Sequence, residues 1–247
     1  MMDYTALQWI WLGVAAFAAG LSKMGLGAVI MLVIPVVASL FGGKESTGLM
    51  LPLLMTADVF AVLYYRKNIR FQEIRRLLPW LCAGLLIGLL VGRYINDVQF
   101  KAVLSVTVVI CLASMIYADV KGRPVAVPDR LLVYALAGIL AGFTSMIGNA
   151  AGAIVTMYFL SRGYQKDSLI STSVWLFFIL NLIKLPLQVF VWHNIGISGL
   201  YTALILIPVV LAGAVAGAYA VKRINEKVYK IVLYVMILIA AVALWLR

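Results

Sequence analysis

Four polar residues stand inside stretches that are otherwise apolar: Lys23 in "AAGLSKMGLG", Asp58 in "LPLLMTADVFAVLYY", and Asn181 with Lys184 in "FFILNLIKLPLQVF". An ammonium group within an apolar run of membrane-spanning length costs roughly 2.5 to 3.5 kcal/mol on insertion scales, so it must face a polar cavity or a partner. Two lysines set against one aspartate leave a net charge of plus one, which suits an anion. Asp58 is either a proton acceptor or a counter-ion to Lys184 or Lys23. Asn181 is either a ligand or a partner for exposed backbone.

Glycines define a second feature. Gly25 and Gly27 follow Lys23, and "SMIGNAAG" (145–152) holds Ser145, Gly148 and Asn149 at the corresponding place further along. Glycine permits tight turns and leaves backbone N–H groups uncovered. Half-helices starting near Gly27 and Asn149 would point their positive ends at one another, a ready anion site. Lys23, Gly25, Gly27, Ser145, Gly148, Asn149 and Asn181 are therefore the candidate binding residues, with Asp58 and Lys184 as coupling or counter-ion residues.

The elements that must position them follow from composition. The chain has 247 residues, 65% of them hydrophobic, against roughly 45 to 50% in a soluble domain. It reads as an all-α, polytopic membrane protein. Residues 77–96 align without gaps with 206–225, pairing Pro79 with Pro208, Gly84 with Gly213 and Gly88 with Gly217. The same register pairs Ala19-Gly20 with Ala141-Gly142. The chain thus divides into a first repeat (1–117), a polar linker (118–130) and a second repeat (131–247), which together form one membrane domain. Spans are expected at 47–64, 77–93 and 99–117, then at 169–191, 198–220 and 228–246.

Each repeat opens with a longer run, 6–41 and 131–161. A continuous helix over the first would measure about 54 Å, too long for a core of about 30 Å. Charge favours hairpins instead. With both runs folded back, Lys44, Arg93, Lys101 and Arg247 face one side and fourteen Lys and Arg face the other, the bias of cytoplasmic loops. Each repeat then crosses three times, so the halves are inverted and both termini lie outside the inner membrane. Inverted repeats with broken helices are an architecture of secondary transporters.

Other signals carry less. The small-xxx-small glycines of both repeats are expected to pack helices within one chain, with a homodimer as the second reading. Residues 64–80 are either a surface amphipathic segment or an ordinary basic loop. Ser171, Thr172 and Ser173 are expected to bond back to helix carbonyls. A formal charge of +11 is explained by the loops and implies no nucleic acid. One histidine and the separated Cys82 and Cys111 make no metal site, and no hydrolase, metalloprotease or nucleotide motif is present, so neither an enzyme nor a cofactor is expected.

Over nearly its whole length the sequence resembles the TauE/SafE family, the sulfite exporter or sulfonate permease group. The resemblance rests on "GLSKMGLG", "LPLLMTADVFAVLYYRKNIRF", "LLPWLCAGLLIGLLVG", "SMIGNAAG" and "NLIKLP". It implies an eight-segment duplicated transporter that carries sulfite, sulfoacetate or another organosulfonate, with membrane lipids around it. Ala28 and Asn149-Ala150-Ala151 depart from the commonest family pattern. The reading from another class is a membrane anchor or binding subunit that transports nothing.

The topology is tested with an impermeant thiol reagent on single cysteines at Asp3, Gly122 and Arg247. Positions 3 and 247 should label from outside and position 122 only after permeabilisation; external labelling of 122 sinks the inverted arrangement.

Overall fold

The computed structural model describes residues 4–27, 29–94, 96, 98–99, 131–225, 227–229, 231–232 and 235. Eight α-helices occur among them: α1 (Ala6–Lys23), α2 (Val29–Phe41), α3 (Gly43–Tyr64), α4 (Phe71–Val91), α5 (Leu131–Gly148), α6 (Gly152–Ser161), α7 (Lys166–Leu187) and α8 (Ile197–Arg223). A π-helical turn, Gln188–Trp192, extends α7. Five helices among the described residues are long and apolar enough to cross a membrane, namely α3, α4, α5, α7 with its π turn, and α8. Four of the expected spans are thus present as α3, α4, α7 and α8. All but the first residue of the expected span at 99–117, and the whole linker at 118–130, lie outside the described residues, as does most of 228–246.

Both opening runs break where the glycines and Asn149 predict. The first leaves α1 at Lys23 and restarts at Val29; the second leaves α5 at Gly148 and restarts at Gly152. The turns use left-handed backbone, at Gly25 (φ +118°) and at Asn149 (φ +55°), a region open to glycine and tolerated by asparagine. Each run then folds back. Gln8 near the start of α1 donates to the Leu40 carbonyl at the end of α2 (3.4 Å), and the rings of Tyr4 and Phe41 meet edge to face at 5.5 Å. In the second run Tyr134 lies under the Arg76 guanidinium, and Tyr158 donates to Glu73 (2.8 Å), so the start of α5 and the end of α6 share the start of α4. Within the second run α5, at 18 residues, is long and apolar enough to cross a membrane alone.

The helices are locked by two crossings between the halves, α1 with α8 and α4 with α5. At each, glycines remove the side chains that would hold the backbones apart. A Cβ on Gly20 would lie 2.0 Å from the Val210 carbonyl oxygen, and one on Gly213 2.1 Å from that of Phe17. At the other crossing, a Cβ on Gly142 would lie 2.1 Å from the Leu81 oxygen and one on Gly84 2.1 Å from that of Ile139. These are the positions that the sequence alignment pairs. The glycine spacing therefore serves packing within the chain.

The segment around 64–80 is resolved as well. Phe71 opens α4, and Ile74 and Leu77 are buried in the core rather than laid on a surface. Phe71 is half exposed and packs edge to face on Trp175. The basic residues before it form the connection between α3 and α4.

Gly84→Ala and Gly213→Ala should each cost about 1 to 3 kcal/mol, the usual penalty of overpacking. Gly13→Ala, where a Cβ meets nothing within 4 Å, should be neutral or slightly stabilising. Thermal unfolding of purified protein reads all three.

Candidate functional site

A helix ending deep inside a protein leaves carbonyls unsatisfied, and one starting there leaves N–H groups unsatisfied. The two hairpin tips bring both kinds of end together. A Cβ on Gly152 would lie 3.2 Å from the Gly27 carbonyl oxygen, so the chain just before α2 abuts the start of α6. Ala151, the residue preceding α6, offers no side-chain cap.

A cavity of about 60 Å³ opens between the tips, room for a small polyatomic anion or a few waters. Lys23, Gly25, Gly27, Ser145, Asn149 and Asn181 line it. Gly148, the remaining candidate, is buried but does not line the cavity. Asp58 and Lys184 also stand behind the wall, each bonded to residues that form it.

The charges pair selectively. Lys23 Nζ lies 2.8 Å from Asp58 Oδ1 and 4.8 Å from the centre of the Phe177 ring. Asn181 Nδ2 donates to the other Asp58 oxygen at 2.6 Å. Asp58 is wholly buried on α3, so ionic and amide partners on both oxygens replace the water it has lost. Of the two counter-ions open in the sequence, the structure selects Lys23.

Lys184 takes a different set. It is wholly buried, and it donates to the Ser145 carbonyl oxygen at 2.5 Å and to Asn149 Oδ1. Both acceptors are neutral. The carbonyl of Ser145 is near the C-terminal end of α5, where the helix dipole favours a cation. Lys184 therefore holds the second tip, while Asn149 Nδ2 reaches the Thr47 carbonyl at 3.5 Å. Two lysines and one aspartate occupy this region.

Sequence reasoning missed several wall residues: Ser22, Thr156, Ser173, Phe177 and Tyr229. Ser173 was expected to bond back to its helix, yet its buried hydroxyl has no hydrogen-bond partner and lines the cavity. Thr172 accepts from the Arg70 backbone N–H at 3.1 Å. No periodic signal separates these hydroxyls from ordinary helix positions. Tyr229 and Tyr65 fix the first tip from outside it, donating to the carbonyls of Gly25 (2.6 Å) and Met24 (2.9 Å).

A second polar recess was also missed. Arg70, Glu73, Arg162, Tyr164, Gln165 and Ser168 line it. Glu73 is buried and lies 3.3 Å from Arg76 and 3.6 Å from Arg162, so it ties α4 to the end of the second hairpin. Burial, helped by the Glu73 carboxylate, pushes the Tyr164 hydroxyl up to about 12, and the phenol stays neutral through the physiological range.

The ion pair gives a direct test. Removing one member of a buried pair costs about 3 to 5 kcal/mol because the other is left unpaired. Asp58→Asn and Lys23→Met should each destabilise by that order, and the double substitution should cost less than their sum. Lys184→Gln should restore Asp58→Asn less than Lys23→Met does, in chemical or thermal unfolding.

No curated protein and no solved structure is matched by the chain. The family model described as sulfite exporter TauE/SafE matches residues 12–244, a stretch that contains both hairpin tips, the ion pair and the cavity. The chain therefore belongs to the sulfite exporter TauE/SafE family of multi-pass membrane transporters.

Proposed function

We propose that the protein exports a small oxyanion such as sulfite, sulfoacetate or another organosulfonate by alternating access, with the anion seated in the cavity between the hairpin tips. The observation that carries this reading is the charge count: Lys23 and Lys184 against Asp58, at the breaks of two folded-back helices. An apolar site with a net positive charge and uncapped N–H groups recognises an anion and rejects a cation. Lys23 gives the charge-assisted contact. The backbone around Gly25 and Gly27, the Asn149 and Asn181 amides and the Ser173 hydroxyl supply neutral donors. Lys184 binds through its hold on Ser145 and Asn149.

The inverted-repeat arrangement is supported by the two glycine crossings, which use aligned positions of the two halves. The chain has no nucleotide motif, so the driving force is a gradient or the membrane potential. Expulsion of an anion from a negative-inside cell gains about 2.3 kcal/mol per charge per 100 mV.

Asp58 and the anion compete for the same ammonium. A proton on Asp58 releases Lys23, so anion affinity should rise as pH falls, and Asp58→Asn should abolish that dependence while keeping binding. The anion should also stabilise this variant more than the parent, because it supplies the missing negative charge.

Flux of sulfite and sulfoacetate into liposomes containing only this protein separates transport from the anchor reading, which predicts none. Lys23→Met should lower anion affinity about tenfold to a hundredfold, the worth of a charge-assisted hydrogen bond of about 1.5 to 3 kcal/mol. Lys23→Arg should recover part of it, since a planar fork replaces a compact charge. Binding on folded, detergent-extracted protein keeps this loss apart from misinsertion. Unchanged binding and flux in Lys23→Met would place the site elsewhere.

A further inference from the structure

Gln188 is wholly buried, and neither its Nε2 nor its Oε1 has a hydrogen-bond partner. An amide buried without partners costs free energy, and an apolar side chain of similar volume would avoid the cost. Its position suggests what the cost serves. At 100° per residue, Asn181, Lys184 and Gln188 lie within about 60° of one another on α7. This polar line leads away from the cavity, where Asn181 forms part of the wall. It passes Lys184, which grips the second hairpin tip, and reaches Gln188, the first residue of the π turn.

Trp192 ends the turn. It is buried, and its indole donates to the Leu89 carbonyl at 3.2 Å. A Cβ on Gly92 would lie 2.4 Å from the Trp192 ring, and the Lys44 ammonium covers that ring at 5.3 Å. Beside it Asn194 donates to the Lys44 carbonyl at 2.9 Å and to Thr47 Oγ1 at 3.2 Å, while its buried Oδ1 has no hydrogen-bond partner. A buried glutamine with unused capacity thus lies along α7 between the anion cavity and the end of the molecule that carries Lys44, where the half-buried Asn194 also leaves an oxygen unpaired.

We propose that Gln188 is a second station for the anion, on its route between the cavity and the Lys44 end, and that Trp192 closes this route in the present conformation. The inference rests on the transport reading above. When the indole moves aside, the Gln188 amide N–H donates to an oxygen of the passing anion and its carbonyl takes a water. The group left unpaired in the closed state is the one used in the open state.

The test compares Gln188→Leu with the parent in two measurements: sulfite binding to purified protein, and sulfite flux in liposomes of phosphatidylethanolamine and phosphatidylglycerol. Flux should fall tenfold or more, while the sulfite Kd stays within twofold and the Tm rises, because an unpaired polar group has been removed. A merely structural glutamine would move stability and binding together, so a parallel loss of Tm, Kd and flux overturns the proposal. Gln188→Asn, which keeps a shorter donor, should retain part of the flux, and Gln188→Glu, which puts a carboxylate on the route, should lower it further. Should Gln188→Leu fail to insert, Gln188→Met carries the same contrast. Parent-level flux in Gln188→Leu overturns the second station and leaves the cavity reading intact, whereas absence of sulfite flux in the parent overturns both.

Discussion

The arrangement of this protein depends on holding two lysines and an aspartate within one largely buried centre. Asp58 is wholly buried, and its two oxygens are served by Lys23 and Asn181, from α1 and α7. Lys184 finds neutral oxygens on the second hairpin. Helices α1, α3, α5 and α7 are thereby joined through three charged side chains. Low dielectric makes each of these contacts strong and makes the loss of any one expensive. The centre is therefore a joint between both hairpins and the helices that follow them.

Such a joint needs helices that approach very closely. At both crossings between the halves, carbonyl oxygens stand about 2 Å from where a glycine's Cβ would be. A methyl group at Gly20 or Gly84 would force the backbones apart and carry Lys23 or Ser145 away from its partner. Helix association in lipid has no hydrophobic drive of its own and relies on such close packing. Tyr65 and Tyr229 add polar ties at the first hairpin tip, and the Glu73 cluster adds them at the outer part of the second hairpin.

Much of this was legible in the sequence. The breaks near Gly25 and Asn149 and the spans corresponding to α3, α4, α7 and α8 were read from span length and glycine spacing, which act locally. Lys23, Asp58, Asn181 and Lys184 stood out because each is costly where it lies. The choice of Lys23 over Lys184 as partner of Asp58 was not legible, since it depends on how the first tip is placed against α3. Ser173 escaped for another reason: a hydroxyl in a helix is cheap when it bonds back to a carbonyl, so its type and position carry no alarm. Gln188 sat in an apolar run without a motif, and only its buried, unpartnered amide distinguishes it.

That the site and the irregular backbone coincide follows from the solvent. Inside a membrane, broken helix is tolerated only where protein or a water-lined cavity satisfies the exposed peptide groups. The turns at Gly25 and Asn149 meet that condition by facing each other across the cavity, with Lys184 bonded to the carbonyl of Ser145 and Tyr229 to that of Gly25. Those ties serve carbonyls, however, and the N–H groups at the start of α6 receive no side-chain cap. On the proposed reading, a negatively charged ligand would satisfy the donors that remain. The proposed binding residues are in this sense the unfinished hydrogen bonding of the fold, which a guest carrying acceptors and negative charge would complete.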